Sequence, residues 1–152
     1  SHYKIKSPSD MMGLGREIAR LIRPPSCIYL IGQIGAGKTT FARGFIQSLG
    51  FDGPVKSPTF TLVETYLTDS CVINHFDLFR LDSVEELEYI GLDDYLNSKS
   101  ILLIEWPEVG STVLPLPDLK IQIDIKGNSR HICLSYKRYS VFGDSLAESE
   151  NL

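Results

Sequence analysis

The residues with the clearest chemical potential lie between positions 32 and 39, which read GQIGAGKT. This stretch fits the pattern G-x-x-x-x-G-K-[ST], with Gly32, Gly37, Lys38 and Thr39 at its defined positions. Glycines let the backbone curl so that its N–H groups point at phosphate oxygens. The lysine brings a positive charge to the β- and γ-phosphates, and the threonine hydroxyl can ligate Mg²⁺. The spacing therefore predicts a site for the phosphates of a nucleotide.

Two acidic residues are placed where they could hold or act beside the metal of such a site. Glu105 follows the continuous apolar run 101–104, and Asp77 follows the strand-like run 72–76. A carboxylate at the end of a buried strand reaches the phosphate crevice of an α/β sheet and can bind Mg²⁺ or its water. The alternative for each acid is a structural salt bridge. The sequence does not separate a metal-binding role from a water-positioning role for Asp77.

Four other side chains lie near these positions in the sequence. Thr59, in Ser57-Pro58-Thr59, follows the helix after the glycines, where a switch loop can return to the γ-phosphate. Arg80 could pair with phosphate or with an acid, and a structural ion pair is at least as good an interpretation. Trp106 could shield the site, contact a partner or simply pack, and His75 is interpreted as an ordinary strand side chain.

The elements that must position these residues form a single α/β domain. Apolar residues 27–31 predict a strand before the glycines, and a helical pattern over 41–49 ends at Gly50. We expect a P-loop NTPase-like mixed β-sheet flanked by helices over residues 1–142, then a flexible acidic tail at 143–152. Before the loop, we predict a helix capped by Ser9-Asp10 and ended by Pro24-Pro25. After it, we predict a hairpin of strands over 59–66 and 72–77, then a helix that opens with capping-box spacing at 83–86 and runs to about Ile90. A short helical turn at 93–97 and strands at 101–104, 121–125 and 131–136 complete the prediction.

Composition narrows the class of protein. The net charge of −4 argues against a surface that grips nucleic acid directly. The chain contains no apolar run of about 18 residues, so we expect no membrane span, and we expect no secretory signal. Its three cysteines form no C-x-x-C pair, so we expect no structural zinc site. An odd number of cysteines suits a reducing cytoplasm.

Four segments, in this order and spacing, resemble the bacterial TsaE (YjeE) family: GQIGAGKTT, VKSPTFTLVETY, HFDLFRL and LLIEWPE. The resemblance runs from about Ser9 to Tyr136. It implies a small Mg-dependent ATPase that acts with the TsaB–TsaD complex in making N6-threonylcarbamoyladenosine in tRNA. It also implies that TsaD carries the ligase chemistry and that ATP hydrolysis resets the complex. Contact with tRNA would then be indirect, through that complex.

The resemblance also implies roles for individual residues. Lys38, Asp77 and Glu105 would be needed for activity, and Thr39 with Glu105 would hold Mg²⁺. The implied nucleotide-binding residues are Gly35, Ala36, Gly37, Lys38, Thr39, Thr40, the switch threonine Thr59, Trp106 and Arg130.

One position departs from the family pattern. The family often has Asp or Glu directly after the first glycine of the loop, where this chain has Gln33. An acid there cannot be essential for phosphate binding, because like charges repel. Its replacement could alter contacts with the TsaB–TsaD pair or with the metal shell.

Two other functions use the same loop. A small-molecule kinase usually adds an arginine-rich lid, and no run of closely spaced arginines follows the loop in this sequence. A nucleotide-switched protein of GTPase type would need an N-K-x-D-like stretch, and the sequence has none. On the motifs alone, without the resemblance, the prediction is a Mg-dependent nucleotide hydrolase with slow intrinsic turnover, since no cis arginine finger is evident.

Overall fold

A computed structural model describes residues 1–136 of the 152-residue chain. These residues form one sheet of seven strands, in the order β1-β7-β6-β2-β5-β4-β3. The strands β6, β2, β5 and β4 are parallel to one another, and the remaining three pair antiparallel at the edges. The sheet is therefore mixed, as predicted. The strands are β1 (His2–Ile5), β2 (Ser26–Gly32), β3 (Val63–Leu67), β4 (Val72–Asp77), β5 (Ser100–Glu105), β6 (Leu119–Lys126) and β7 (Ser129–Tyr136).

Helices cover both faces of this sheet, and a separate apolar core lies on each. Successive residues of β5 alternate between the two cores: Ile101 and Leu103 belong to one, Leu102 and Ile104 to the other. This alternation follows from the two-residue period of a strand, and it explains why the run 101–104 is apolar throughout. The helices are α1 (Pro8–Leu21) and α2 (Lys38–Ser48), which belong to the first core, and α3 (Glu85–Tyr89), which belongs to the second; 3₁₀ turns span Leu92–Tyr95 and Pro107–Gly110.

The two long helices touch closely enough to require glycine. A Cβ atom at Gly44 of α2 would lie 2.3 Å from the carbonyl oxygen of Met12 in α1. No side chain fits there, so this close contact fixes α1 against α2. Because α2 begins at the glycine loop (residues 32–39), α1 also supports the loop.

Several element boundaries differ from the sequence prediction. Helix α1 is capped by Ser7, whose hydroxyl accepts from the N–H of Asp10, and not by Ser9-Asp10. Helix α3 has Val84 as its N-cap and no side-chain cap within the described residues, and the Glu86 carboxylate accepts from the N–H of Asp82, so the predicted capping box with Ser83 does not form there.

The strand predicted over 59–66 begins only at Val63. The N–H of Leu62 donates to the carbonyl of Pro58 at 2.8 Å, and Leu62 has a positive φ of 72°. These features make residues 58–62 a turn, although the hairpin of β3 and β4 forms as predicted.

Strand β1 was not predicted. The predicted acidic tail at 143–152, and the end of the predicted domain at 142, lie outside the described residues. Within residues 1–136, no helix has the length and apolar character needed to cross a membrane.

Candidate functional site

The glycine loop connects the carboxyl end of β2 to the first turn of α2. Gly37 is the N-cap of α2, and its φ of 113° is a left-handed conformation that favours glycine. No side chain caps this helix, and its first turn contains no acid. The N–H groups at the start of α2 are thus left without a side-chain acceptor, beside the positive end of the helix dipole. This is the arrangement that binds phosphate.

A cavity of about 440 Å³ opens in front of the loop, and we call it the loop cavity. It lies at the carboxyl ends of β2, β4 and β5, where ligands bind in open α/β sheets. All but one of the predicted site residues line it. The lining residues are Ile34, Gly35, Ala36, Gly37, Lys38, Thr39, Thr40, Thr59, Asp77, Phe79, Arg80, Glu105 and Trp106.

Lys38 is nearly enclosed, with 5% of its surface exposed. Its ammonium donates to the backbone carbonyls of Gly32 and Gln33 and lies 4.2 Å from the centre of the Trp106 ring. Burial lowers the pKa of Lys38, and the negative charges of Glu105, Asp77 and Glu108 only partly offset that effect. Burial therefore disfavours the charged form of Lys38, and a phosphate group is an anion with which this cation can pair.

Trp106 adopts a backbone conformation that a bulky residue rarely takes. Its φ of 57° places it in the left-handed region, which costs about 1–3 kcal/mol. The indole packs against Phe79, with 4.9 Å between ring centres, and covers the Lys38 ammonium. The strained backbone thus sets the indole over the cation of the loop.

Glu105 contacts both Thr39 and His75. The Thr39 hydroxyl lies 3.1 Å and 3.3 Å from the two Glu105 carboxylate oxygens. His75 is fully buried, and its Nε2 atom lies 2.6 Å from Oε2 of Glu105. Its other ring nitrogen, Nδ1, has no hydrogen-bond partner. The contact with Glu105 is thus the only hydrogen bond that the described structure gives the imidazole ring.

Asp77 has different partners. Its Oδ2 atom accepts from the Thr59 hydroxyl at 3.2 Å, and its Oδ1 atom accepts from the N–H of Phe79 at 3.0 Å. The Thr59 hydroxyl also lies 2.7 Å from that of Ser57. Asp77 therefore ties residues 57–59 to the end of β4.

The oxygen atoms around Thr39 have the chemistry that Mg²⁺ prefers. Magnesium in nucleotide sites is held by one or two protein oxygens together with phosphate oxygens and water. The Thr39 hydroxyl and the Glu105 carboxylate lie within hydrogen-bond distance of each other at the edge of the loop cavity. This pair fits a metal held in part by the phosphates of a bound nucleotide.

Arg130 is the predicted site residue that lies elsewhere. Its guanidinium donates to the carbonyls of Ala36 at 3.1 Å and Gly35 at 3.2 Å, from the opposite side of the glycine loop. There it lines a second cavity of about 150 Å³, which we call the rear cavity. The two cavities share Gly35, Ala36, Gly37 and Thr40.

Gln33 acts in the loop through its backbone. Its carbonyl accepts from the Lys38 ammonium at 3.1 Å and from the N–H of Ala36 at 3.0 Å, while the residue as a whole is exposed. Its replacement of an acid therefore leaves the hydrogen bonds of the loop intact. Gln33 lines a separate polar groove that also contains Trp106 and Glu108.

The sequence did not predict the contact of His75 with Glu105, and it did not decide whether Arg80 pairs with phosphate or with an acid. The signal for His75 was its spacing, because residues two apart on a strand share a face and Asp77 was already a site candidate. Arg80 lines the loop cavity, and among residues 1–136 no carboxylate lies within ion-pair distance of it. Within the described part of the chain, the structural ion pair considered for Arg80 is therefore absent.

A mixed sheet with a glycine loop between a central parallel strand and a helix defines a P-loop-like α/β fold. The fold is shared with the crystal structure of Bacillus subtilis YdiB, with a TM-score of 0.74, 28% identity and coverage of 87% of this chain and 82% of that one. The family model described as "Threonylcarbamoyl adenosine biosynthesis protein TsaE" matches residues 5–132. The chain therefore belongs to the TsaE family of threonylcarbamoyladenosine biosynthesis proteins.

Individual relatives agree with this assignment. The chain is 45% identical over 128 residues to the Haemophilus influenzae tRNA threonylcarbamoyladenosine biosynthesis protein TsaE, covering 81% of each protein. It is 31% identical over 153 residues to the protein of the same name from Bacillus subtilis, covering 99% of this chain and 96% of that one. Membership of the family, inferred above from four motifs, is thus confirmed.

Proposed function

We propose that this chain binds Mg-ATP at the glycine loop and hydrolyses it. The observation that carries the proposal is the convergence of Lys38, Thr39, Asp77 and Glu105 on one cavity at the carboxyl ends of three parallel strands. The uncapped start of α2 adds N–H donors to the same cavity. A cation, amide donors, metal-binding oxygens and a second carboxylate are the components that phosphoryl transfer from a nucleotide uses.

In this proposal Thr39 and Glu105 hold the magnesium ion, and His75 keeps the Glu105 carboxylate in place. The metal, when bound, would neutralise charge on the phosphate oxygens. Lys38 exchanges its contacts with loop carbonyls for contacts with the phosphates. Asp77 and Thr59 act at the terminal phosphate, by orienting the attacking water or by closing residues 57–60, which we call the switch segment.

In this proposal the nucleoside end of ATP extends towards the rear cavity. Because the two cavities share four residues of the loop and the start of α2, a nucleotide with its phosphates in the loop cavity can extend into the rear cavity. Arg130 would then flank the nucleotide while it supports the loop from below.

We further propose that hydrolysis drives the cycle of the TsaB–TsaD complex during tRNA threonylcarbamoylation. Family membership supports the pathway, and the rim of the loop cavity supports regulation by a protein partner. Three large apolar side chains are exposed there: Phe60 at 83%, Ile34 at 69% and Phe79 at 45%. Exposed apolar groups in a cluster are typical of protein contact sites. A partner that covers them would also exclude water from the phosphates.

Phosphate release from Mg-ATP tests both parts of this proposal. We expect slow release by the chain alone, a rise only when TsaB and TsaD are added together, and no release by the Lys38→Met variant. Unchanged turnover across a titration with that pair would contradict the role in their cycle. Failure to bind or hydrolyse ATP under all conditions would contradict the ATPase proposal, and a phosphorylated metabolite among the products would favour a kinase.

A further inference from the structure

Arg80 stands on a turn whose position is fixed by the two strands that carry the acids. The N–H of Leu78 donates to the carbonyl of Glu105 at 3.1 Å, and the N–H of Phe79 donates to the Asp77 side chain at 3.0 Å. The N–H of Leu81 then closes the turn onto the carbonyl of Leu78 at 3.1 Å. The Leu78 side chain is fully buried beneath the turn. The backbone around Arg80 is thus anchored to both β4 and β5.

The Arg80 side chain is exposed, and within residues 1–136 it forms no ion pair. It lines the loop cavity, yet its neighbouring acids are occupied by other groups: Asp77 by Thr59 and Phe79, Glu105 by Thr39 and His75. Within residues 1–136 no carboxylate lies within 4.0 Å of the Arg80 guanidinium. Arg80 is permanently charged, faces the cavity and has no carboxylate partner within residues 1–136, so its guanidinium is available to bind an anionic ligand.

The contact that Arg80 does make connects it to the switch segment. Its guanidinium carbon lies 4.5 Å from the centre of the Phe60 ring. Stacking on an aromatic face restricts the guanidinium without using its N–H donors. Phe60 directly follows Thr59, so a single short segment carries both the hydroxyl that binds Asp77 and the ring that holds Arg80.

Among the lining residues of the loop cavity, the cations are Lys38 and Arg80. Lys38 and the α2 N-terminus serve the glycine loop, whereas Asp77 and Glu105 bring negative charge from the sheet side. We propose that Arg80 is the catalytic arginine of this chain in cis, donating from its guanidinium to the terminal phosphoryl oxygens of the bound triphosphate. This inference rests on the proposed ATPase function and adds a residue to it.

The step in which Arg80 acts is hydrolysis of the terminal phosphoanhydride. A water oxygen bonds to the terminal phosphorus, and the bond to the bridging oxygen breaks with its electron pair leaving on ADP. One water proton passes to solvent, and Arg80 remains protonated throughout. Its guanidinium stabilises the charge that spreads over the terminal oxygens in the transition state, which is worth about 10³–10⁵-fold in related sites.

Arg80→Ala and Arg80→Lys test the proposal beside Arg20→Ala, which removes the same charge from an exposed position of α1. We expect Arg80→Ala to lower the rate of Mg-ATP hydrolysis by about 10²-fold or more, with Arg20→Ala at the wild-type rate. Arg80→Lys should recover little, because an ammonium lacks the planar pair of donors. Thermal unfolding should be unaltered, since Arg80 is exposed.

Calorimetric titration separates this inference from the function on which it rests. Wild-type protein should bind a non-hydrolysable ATP analogue more tightly than ADP, and Arg80→Ala should lose that preference while keeping its ADP affinity. A wild-type preference and rate in Arg80→Ala would overturn the role of Arg80 alone. Wild-type protein that binds neither nucleotide would overturn the ATPase proposal and the Arg80 assignment with it.

Discussion

Asp77 and Glu105 are direct neighbours in register at the carboxyl ends of the parallel strands β4 and β5. Both side chains line the same cavity, but within residues 1–136 they share no hydrogen-bond partner: Glu105 contacts Thr39 and His75, whereas Asp77 accepts from Thr59 and from the N–H of Phe79. Two adjacent carboxylates therefore have separate connections, one to the Thr39 hydroxyl and one to the Thr59 hydroxyl. This separation predicts different phenotypes for the two acids.

We expect Glu105→Gln to remove the Mg²⁺ dependence of nucleotide binding and to lower hydrolysis by roughly 10²-fold or more, because the proposed metal site would lose the charge of its carboxylate ligand. Asp77→Asn should retain Mg²⁺-dependent binding of ADP and lose hydrolysis. Both substitutions preserve shape, so cavity effects are avoided. Calorimetric titrations with Mg²⁺, together with phosphate-release assays, distinguish the two variants. The reverse pattern would assign the metal to Asp77 instead of Glu105.

The His75 contact predicts a weaker metal site when the imidazole is replaced. We expect His75→Gln to reduce the apparent Mg²⁺ affinity of the nucleotide complex by about 10–100-fold, as found for groups that orient metal ligands. Mn²⁺ binding measured by electron paramagnetic resonance provides a readout that a general loss of stability would not mimic. His131→Gln on β7 is the matched control, since His131 stacks on His2, away from Glu105. An unchanged metal affinity in His75→Gln would refute the positioning role.

Thr59 supplies the hydroxyl that links the switch segment to Asp77. Removing one hydrogen bond to a charged group costs about 1.5–3 kcal/mol, so Thr59→Val should lower hydrolysis by roughly 10–100-fold. Thr59→Ser keeps the hydroxyl and should stay near the wild-type rate. ADP affinity should change little in either variant. Equal rates for the valine and serine variants, measured by phosphate release, would show that the hydroxyl has no part in turnover.

The buried charge of Lys38 predicts a pH dependence of folding stability. Burial lowers the folded-state pKa of Lys38 below its usual value of 10.5. Between those two values the unfolded chain binds a proton that the folded chain does not, so stability rises with pH there. Below the folded-state pKa the cost is fully present.

Relative to Lys38→Met, the wild type should therefore gain stability as the pH rises towards 10.5, by at most about 1.4 kcal/mol per pH unit. Urea unfolding of both proteins without nucleotide, from pH 7 upwards, measures this difference. Lys120→Met, at an exposed position of β6, is the control and should show no such trend against wild type. A flat difference between wild type and Lys38→Met would mean that the lysine is not penalised by burial.

The sequence predicted the central part of this fold because local patterns there agree with tertiary structure. The strand, glycine loop and helix at β2 and α2 formed as expected, and the apolar run 101–104 became a strand covered on both faces. The predictions failed where the apolar pattern does not decide the structure: in one case a local hydrogen bond does, and in the other the pairing with a remote strand. Residues 59–62 have strand-like composition, but the Leu62-to-Pro58 hydrogen bond turns the chain first. Strand β1 exists because it pairs with β7, at the other end of the described chain.

Some site residues could likewise be predicted from local patterns, and others could not. The loop residues, Glu105 and Asp77 were recognisable because each follows a predicted strand or fits a spaced motif. The roles of His75 and Arg80 depend on strand register and side-chain direction. His75 contacts Glu105 on the neighbouring strand, and Arg80 faces the cavity with no ion pair among residues 1–136. Charge and residue type alone could not distinguish those arrangements from a core histidine and a structural ion pair.

The two hydrogen bonds from Arg130 to the carbonyls of Gly35 and Ala36 set a limit on how the molecule can be shortened. The eight-residue motif is complete by Thr39, yet its backbone is supported by a residue 94 positions after Ala36. A fragment that contains the motif, β5 and both acids but stops before β7 would carry the two side chains proposed to hold Mg²⁺, Thr39 and Glu105, and would lack the Arg130 hydrogen bonds to the loop. Grafting the loop into another protein, or trimming this one to a minimal nucleotide binder, must therefore retain the β6–β7 hairpin or replace the guanidinium that it supplies.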